Sequence, residues 1–307
     1  MTLAPVSGQG EPPPSRAPRR SAPAAVGGAW ANSARDALEG AVTAIAAAGA
    51  PTPRLDAEVL LAHVLGVSRA RLLSDRDLAV AGPAVRAFQD AVRRRSLERE
   101  PVAYIVGTRG FRDLELALDR RALIPRPETE LLVEVGLLLP RGARVLDLCT
   151  GSGAVALALA HERPDLELSG SDISDAALAL ARENAERLGL RVRWQHADLL
   201  TGLAGEFDAV LSNPPYVAEG EREQLAPEIL RHEPPEALFA GPDGLALIRP
   251  LLAQLAPRSD VSTVALEVGS GQAAAVGELM RAAGFPALEV RRDLAGIERV
   301  VVGERGG

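Results

Sequence analysis

Asn213-Pro214-Pro215-Tyr216 follows directly on the apolar run Phe207-Asp208-Ala209-Val210-Leu211-Ser212, which places the tetrapeptide in a loop at a strand end. The Asn213 side-chain oxygen and the Pro214 carbonyl form an acceptor pair suited to chemistry on a planar nitrogen. An amide or exocyclic amine shares its lone pair with a neighbouring π-system, as the roughly 18–20 kcal/mol barrier to peptide-bond rotation shows. Such a nitrogen attacks electrophiles poorly. Two acceptors that hold both of its hydrogens can aim the remaining lone pair at a methyl donor. Pro214 and Pro215 stiffen the loop by fixing φ, and Pro214 biases Asn213 toward an extended backbone. Tyr216 offers a flat face against the planar group. The bland alternative is a proline-rich turn leaving a sheet edge.

A second motif lies upstream. Arg144-Val145-Leu146-Asp147-Leu148 reads as a buried strand, Cys149-Thr150-Gly151-Ser152-Gly153 as a glycine turn, and Ala154 to Ala160 as a helix. Glycines at such a junction let the backbone pass close under a ligand. After a second apolar strand comes Asp172, whose carboxylate can accept from ribose hydroxyls. A nicotinamide dinucleotide site shares these features. Three details favour S-adenosylmethionine: Asp147 precedes the turn, a full G-x-G-x-x-G is lacking, and Asp198 ends the next apolar stretch, where it can reach an adenine amino group. Taken alone, each carboxylate reads equally as a solvated loop residue or a helix cap.

These motifs together resemble the PrmC/HemK family of protein-(glutamine N5) methyltransferases that modify peptide chain release factors. The resemblance runs from about Pro53 to Gly303. It includes Pro53-Arg54-Leu55-Asp56-Ala57-Glu58, Glu100-Pro101-Val102-Ala103-Tyr104-Ile105-Val106-Gly107 and Ile124-Pro125-Arg126-Pro127-Glu128-Thr129-Glu130. Glu233-Pro234-Pro235-Glu236-Ala237-Leu238, Gly241-Pro242-Asp243-Gly244-Leu245 and Asp293-Leu294-Ala295-Gly296 continue it. Cys149 stands where many relatives carry glycine, and Gly110-Phe111-Arg112 replaces a more aromatic segment. The resemblance implies a Rossmann-like class I methyltransferase domain with a seven-stranded α/β sheet whose last strand is antiparallel. It implies S-adenosyl-L-methionine as donor, S-adenosyl-L-homocysteine as product, and the glutamine of the release factor's Gly-Gly-Gln loop as acceptor. Expected donor contacts are Cys149, Thr150, Gly151, Ser152, Gly153, Asp172, Asp198, Leu199 and Asn213. Expected substrate contacts are Asn213, Pro214, Pro215 and Tyr216, with Asn213, Pro214 and Tyr216 catalytic and no metal.

The elements that must position these residues alternate beyond Pro127. Strand patterns at Val145–Leu148, Leu166–Ser171, Val192–His196, Ala209–Ser212, Val264–Val268, Leu288–Arg291 and Arg299–Val302 are interleaved with helical stretches. Such alternation predicts a doubly wound sheet, whose ligands bind outside the carboxyl ends of the strands. Four units are expected: a disordered tail over 1–33, a small all-helical domain over 34–108 that helps grip the release factor, a linking β-hairpin over 109–126, and the methyltransferase domain over 127–307. In the helical unit, Leu38, Ala41, Val42 and Ile45 recur at helical spacing. Arg93-Arg94-Arg95 near a helix end reads as solvated charge.

Composition fits a soluble intracellular enzyme, expected in the cytoplasm and as a monomer. The chain has 307 residues, 47% hydrophobic, enough for a sizeable core. A net charge of −7 argues against nonspecific nucleic-acid binding. One cysteine rules out an internal disulfide, and all 34 basic residues are arginine, leaving no lysine for a P-loop or a Schiff base. His63, His161, His196 and His232 lack metal-ligand spacing. The proline-rich N-terminus lacks the apolar core of a signal peptide, and no stretch is long and apolar enough to span a membrane. Three alternatives remain: a glutamine methyltransferase of a ribosomal protein, a DNA adenine-N6 methyltransferase, which would flip its base out of the duplex, and a nucleotide-binding protein without chemistry.

Overall fold

The computed structural model describes residues 32–306; residues 1–31 of the expected tail lie outside it. The described chain begins with β1 (Asn32–Ser33) and α1 (Ala34–Ala47), followed by α2 (Pro53–Leu65), α3 (Arg69–Ser74), β2 (Ala79–Val80), α4 (Pro83–Ser96) and α5 (Val102–Val106). β1 pairs antiparallel with β2. The Ser33 side chain caps α1 by accepting from Asp36 N at 3.2 Å. α1 buries Ala34, Leu38, Ala41 and Ile45, a stripe of three- and four-residue steps that packs with Leu60 and Leu61 of α2, Leu72 of α3 and Phe88 of α4.

The basic run at the end of α4 differs from its expected solvation. Arg93 is exposed and pairs with Asp90 and Glu98, but successive helical residues turn by about 100°, so Arg95 points inward. There its guanidinium meets Asp56 at 2.7 Å and Glu228 at 2.9 Å. Arg99 donates to both oxygens of the same Glu228, at 2.8 and 2.9 Å. Glu228 lies a dozen residues beyond Tyr216, so the helical region is tied by paired, largely buried charges to the segment that follows the Asn-Pro-Pro-Tyr loop.

β3 (Thr108–Phe111) and β4 (Leu114–Ala117) form an antiparallel hairpin that sends Phe111, Leu114 and Leu116 into the core of the following sheet. A 3-10 turn at Pro127–Thr129 leads into α6 (Glu130–Leu137). Then come β5 (Arg144–Leu148), α7 (Ala154–Glu162), β6 (Glu167–Asp172), α8 (Asp175–Leu188), β7 (Arg193–His196), β8 (Ala209–Ser212), α9 (Pro227–His232), α10 (Ile248–Leu255), β9 (Thr263–Glu267), α11 (Ala273–Ala282), β10 (Ala287–Arg292) and β11 (Glu298–Glu304).

Seven of these strands make one sheet in the order β10-β11-β9-β8-β5-β6-β7. β5 to β9 run parallel, whereas β11 is antiparallel to both β9 and β10. β8 and β9 are buried throughout, as strands covered on both faces must be. Leu132, Val133, Leu157 and Leu159 cover one face, and Ile248, Leu251, Leu252, Val276 and Met280 the other. The chain winds outward from β5 in both directions, first to β6 and β7, then to β8. That reversal opens a crevice at the carboxyl ends of β5 and β8, where Leu148 stands level with both Ser171 and Ser212. Among the described residues no helix is long and apolar enough to cross a membrane.

Candidate active site

The crevice holds a cavity lined by the carboxyl ends of four parallel strands: Asp147 to Ser152 after β5, Asp172 to Ser174 after β6, Ala197 to Leu199 after β7, and Asn213 with Pro215 after β8. Thr150 N donates to Ser171 O at 2.9 Å, which stitches the glycine turn to β6. Asp147 turns beneath this loop and accepts from Thr150 Oγ1 at 2.5 Å and from Ala156 N at 3.1 Å. Burial pushes its carboxyl up to about 7, against the pull of those two bonds. Asn184 of α8 donates to Ser152 O and Ala117 O, both at 3.1 Å, so one side chain holds the turn against the hairpin.

The two glycines of the turn face opposite ways. A Cβ at Gly151 would meet nothing nearer than Ala122 Cβ at 3.9 Å, on the cavity side. Gly153, expected against the donor, does not line the cavity: its Cβ would lie 2.9 Å from the Trp194 ring and 3.2 Å from Ala181 Cβ. It is glycine because helix and sheet close on it and because its φ is +84°. Cys149 sits at φ 58°, a left-handed conformation that glycine adopts without strain and a residue with a side chain does not. Burial pushes its thiol up to about 12.

Asp172 Oδ2 accepts from Gly151 N at 2.9 Å and Oδ1 from Ser174 N at 3.0 Å. Burial raises its carboxyl, opposed by those N–H groups. Asp198 is exposed at the cavity's far end, where Leu199, at φ 52°, turns the chain so that Thr201 N donates to Asp198 O at 2.9 Å. Ile173, Ala197 and Leu199 add apolar wall between the two carboxylates.

At the other end Asn213 Nδ2 donates to Thr129 Oγ1 at 3.3 Å, and Thr129 Oγ1 donates to Glu267 Oε2 at 2.7 Å. Pro214 and Tyr216 are not among the lining residues. The phenol of Tyr216, expected as a wall of the substrate site, donates to Glu267 Oε1 at 3.2 Å. Its backbone is held as well, since Gln272 Nε2 donates to Tyr216 O at 2.9 Å. Gly244 lies against the same carbonyl: a Cβ there would come within 2.1 Å of Tyr216 O, at φ +74°. Gly244→Ala is therefore expected to lower stability by about 1–3 kcal/mol, the usual range for overpacking, and to displace the loop. Denaturant unfolding gives the first quantity and methyl transfer the second.

The sequence reading missed Thr129 and Glu267 as site residues. Thr129 sat inside a quoted signature without a role. Glu267 was a lone carboxylate at the end of a strand otherwise made of apolar residues and threonine, a pattern that flags a buried charge with a task. Glu233 gives the same kind of anchor on the cavity's rim, accepting from Arg126 at 2.7 Å and from Ile124 N at 3.4 Å.

The cavity suits S-adenosylmethionine. Asp147, Asp172, Asp198 and Glu236 face a single lining guanidinium, Arg121, which is itself paired with Asp119 and Glu183. An acidic cavity favours a ligand that carries a sulfonium and an ammonium group. Ser171 Oγ at its floor is buried with no partner among the described residues, a polar group that a ligand can satisfy.

The relatives agree with this geometry. Residues 36–107 match the PrmC N-terminal domain and residues 127–242 the methyltransferase small domain. The chain is 40% identical over 277 residues to the release factor glutamine methyltransferase of Deinococcus radiodurans, spanning 89% of this chain and 99% of that protein. It is 44% identical over 281 residues to that of Mycolicibacterium smegmatis, spanning 88% and 97%. In fold it is similar to a methyltransferase from Pyrococcus furiosus, with a TM-score of 0.51 at 17% identity over 70% of this chain and 98% of the other. The hMettl16 catalytic domain in complex with an RNA hairpin gives 0.53 at 15% identity over 73% and 82%. With sequence identity sustained over nearly the whole length of these relatives, and with the cavity at the carboxyl ends of β5 to β8, the chain belongs to the release factor glutamine methyltransferase family.

Proposed function

We infer that this protein methylates the side-chain amide nitrogen of a glutamine in a peptide chain release factor, with S-adenosylmethionine as donor. The observation that carries the reading is the polarity of Asn213: its Nδ2 is engaged by Thr129, which leaves Oδ1 as the acceptor at the cavity. When bound, S-adenosylmethionine supplies an electrophilic methyl group on sulfur and departs as S-adenosylhomocysteine.

The chain's own residues do the rest by orientation. Asn213 Oδ1 accepts one hydrogen of the glutamine amide at the cavity wall, and the Pro214 carbonyl, next in the loop though outside that lining, accepts the other, so that the lone pair turns toward the donor site. Asp172 accepts from the donor's ribose. Asp198, with the Leu199 backbone, meets the adenine, and Gly151 leaves room for the methionine moiety, with Cys149, Thr150 and Ser152 completing that wall. Pro215 closes the site against water. The methylated nitrogen becomes acidic and loses a proton to solvent, so no residue need act as a strong base. Holding reactants in a near-attack geometry supplies up to about 7–11 kcal/mol of a barrier, which fits a site built of acceptors rather than of acids and bases.

The helical unit over 34–108 grips the release factor, the hairpin over 109–126 joins it to the transferase unit over 127–307, and the target is the Gly-Gly-Gln loop. The protein acts as a monomer in the cytoplasm on a protein rather than a nucleic acid, consistent with its net charge of −7. Mass spectrometry of a purified release factor after incubation with this protein and S-adenosylmethionine tests the reading. One added methyl on the loop glutamine is expected. No methyl on the release factor, with methylation of ribosomal protein or DNA instead, would overturn it.

A further inference from the structure

Asn213 serves as an acceptor only while its carboxamide keeps one orientation, because rotation by half a turn replaces Oδ1 with an NH2 donor. We propose that Thr129, in the cavity wall, and Glu267, behind it, are positioning residues that lock this orientation and so set the rate of methyl transfer. The proposal rests on the function inferred above. Thr129 has one hydroxyl hydrogen, and it is given to Glu267 Oε2 at 2.7 Å. Only lone pairs of that oxygen are left to face Asn213, so only the Nδ2 end can bond to it, as it does at 3.3 Å. An ionised carboxylate has no hydrogen to give. The direction of the whole chain is therefore set outward from Glu267.

The same carboxylate accepts from Tyr216 through its other oxygen, at 3.2 Å. Glu267 thus holds the tetrapeptide at both ends, at Asn213 through Thr129 and at Tyr216 directly. Thr129 is 4% exposed and Glu267 1%, so water does not compete for these bonds. The three parts come from separate elements, the 3-10 turn at Pro127–Thr129, the end of β9 and the loop after β8.

Protonation of Glu267 would reverse one of its two bonds. Burial pushes this carboxyl up to about 7, while Thr129 and Tyr216 pull it down, Glu128 adds to the rise and Arg299 opposes it. Glu128 lies on the 3-10 turn and Arg299 on β11, where Asp293 holds it at 3.0 Å. Arg126 acts on Tyr216, and Glu130 of α6 is engaged by Arg112 N at 3.4 Å. A protonated Glu267 gives a hydrogen to Thr129 or Tyr216. Given to Thr129, it frees the Thr129 hydrogen to point at Asn213 and favours the flipped amide. Turnover should accordingly rise with pH through about 7 as the carboxylate forms.

Thr129→Val keeps the shape of the side chain and removes the hydroxyl. Turnover on the release factor should fall by about 100-fold, the loss that roughly 1 Å of misplacement produces, with donor affinity by calorimetry held within about twofold. Thr129→Ser should restore most of the rate. Glu267→Gln should lower turnover and flatten its profile between about pH 6 and 8. A Thr129→Val protein as fast as wild type, or a Glu267→Gln protein that keeps the wild-type profile, would overturn the proposal and leave the function standing. A wild-type protein that puts no methyl on the release factor would overturn the function and the proposal together.

Discussion

Asn213→Ala is expected to lower turnover by about 10²–10³-fold, the range found when one preorganised hydrogen-bonding group is removed from a polar active site. Donor affinity should fall far less than turnover, because Asn213, which follows β8, is one expected donor contact beside the several that lie at the ends of β5, β6 and β7. The asymmetry is the informative part. Alanine removes the acceptor at the cavity and also abandons the Thr129 hydroxyl, buried and short of its Asn213 partner. Asn213→Asp separates these effects. It keeps an acceptor at the reacting amide but sets a carboxylate against the lone pairs of Thr129, so it should fall between wild type and alanine. Single-turnover methyl transfer gives the rate and calorimetry the donor affinity; equal losses in both would reduce Asn213 to a structural residue.

How much of this was legible beforehand follows from the range of each interaction. β5, β8 and β9 are short apolar runs, and the glycine turn and Asn213 sit at their ends, so periodicity and local turn chemistry suffice to place them. Strand direction is not carried by periodicity. The antiparallel course of β11 came only with the family resemblance. Thr129 and Glu267 are 138 residues apart, and Asn213 and Thr129 84 apart, so no local pattern could join them. The bond of the Tyr216 hydroxyl was illegible for the same reason: a ring beside an active-site asparagine reads as a platform, and a carboxylate 51 residues away lies beyond any local pattern. Gly153 shows the converse, in which a turn residue legible from the sequence also packs against Trp194, a contact that no local pattern reveals. Arg95 was read as solvated from its charged neighbours, though helical geometry turns one of three consecutive side chains inward.

Asp172→Ala should weaken donor binding by at least about 100-fold, the sum of two hydrogen bonds to a charged group at roughly 1.5–3 kcal/mol each. Its oxygens already accept from Gly151 N and Ser174 N, and each retains a second lone pair for a ribose hydroxyl. The residue therefore does two things at once: it binds, and it ties the glycine turn to the start of α8. Asp172→Asn retains one acceptor and should lose less, about tenfold. The pH dependence has a definite sign. Burial raises this carboxyl above its ordinary value, so the acceptor form is lost as pH falls, at a higher pH than for an exposed aspartate. Donor affinity should weaken on acidification in wild type and be flat over that step in Asp172→Asn. Calorimetric titration of S-adenosylmethionine across a pH series checks both statements, and an Asp172→Ala protein that binds the donor as wild type does would remove the ribose assignment.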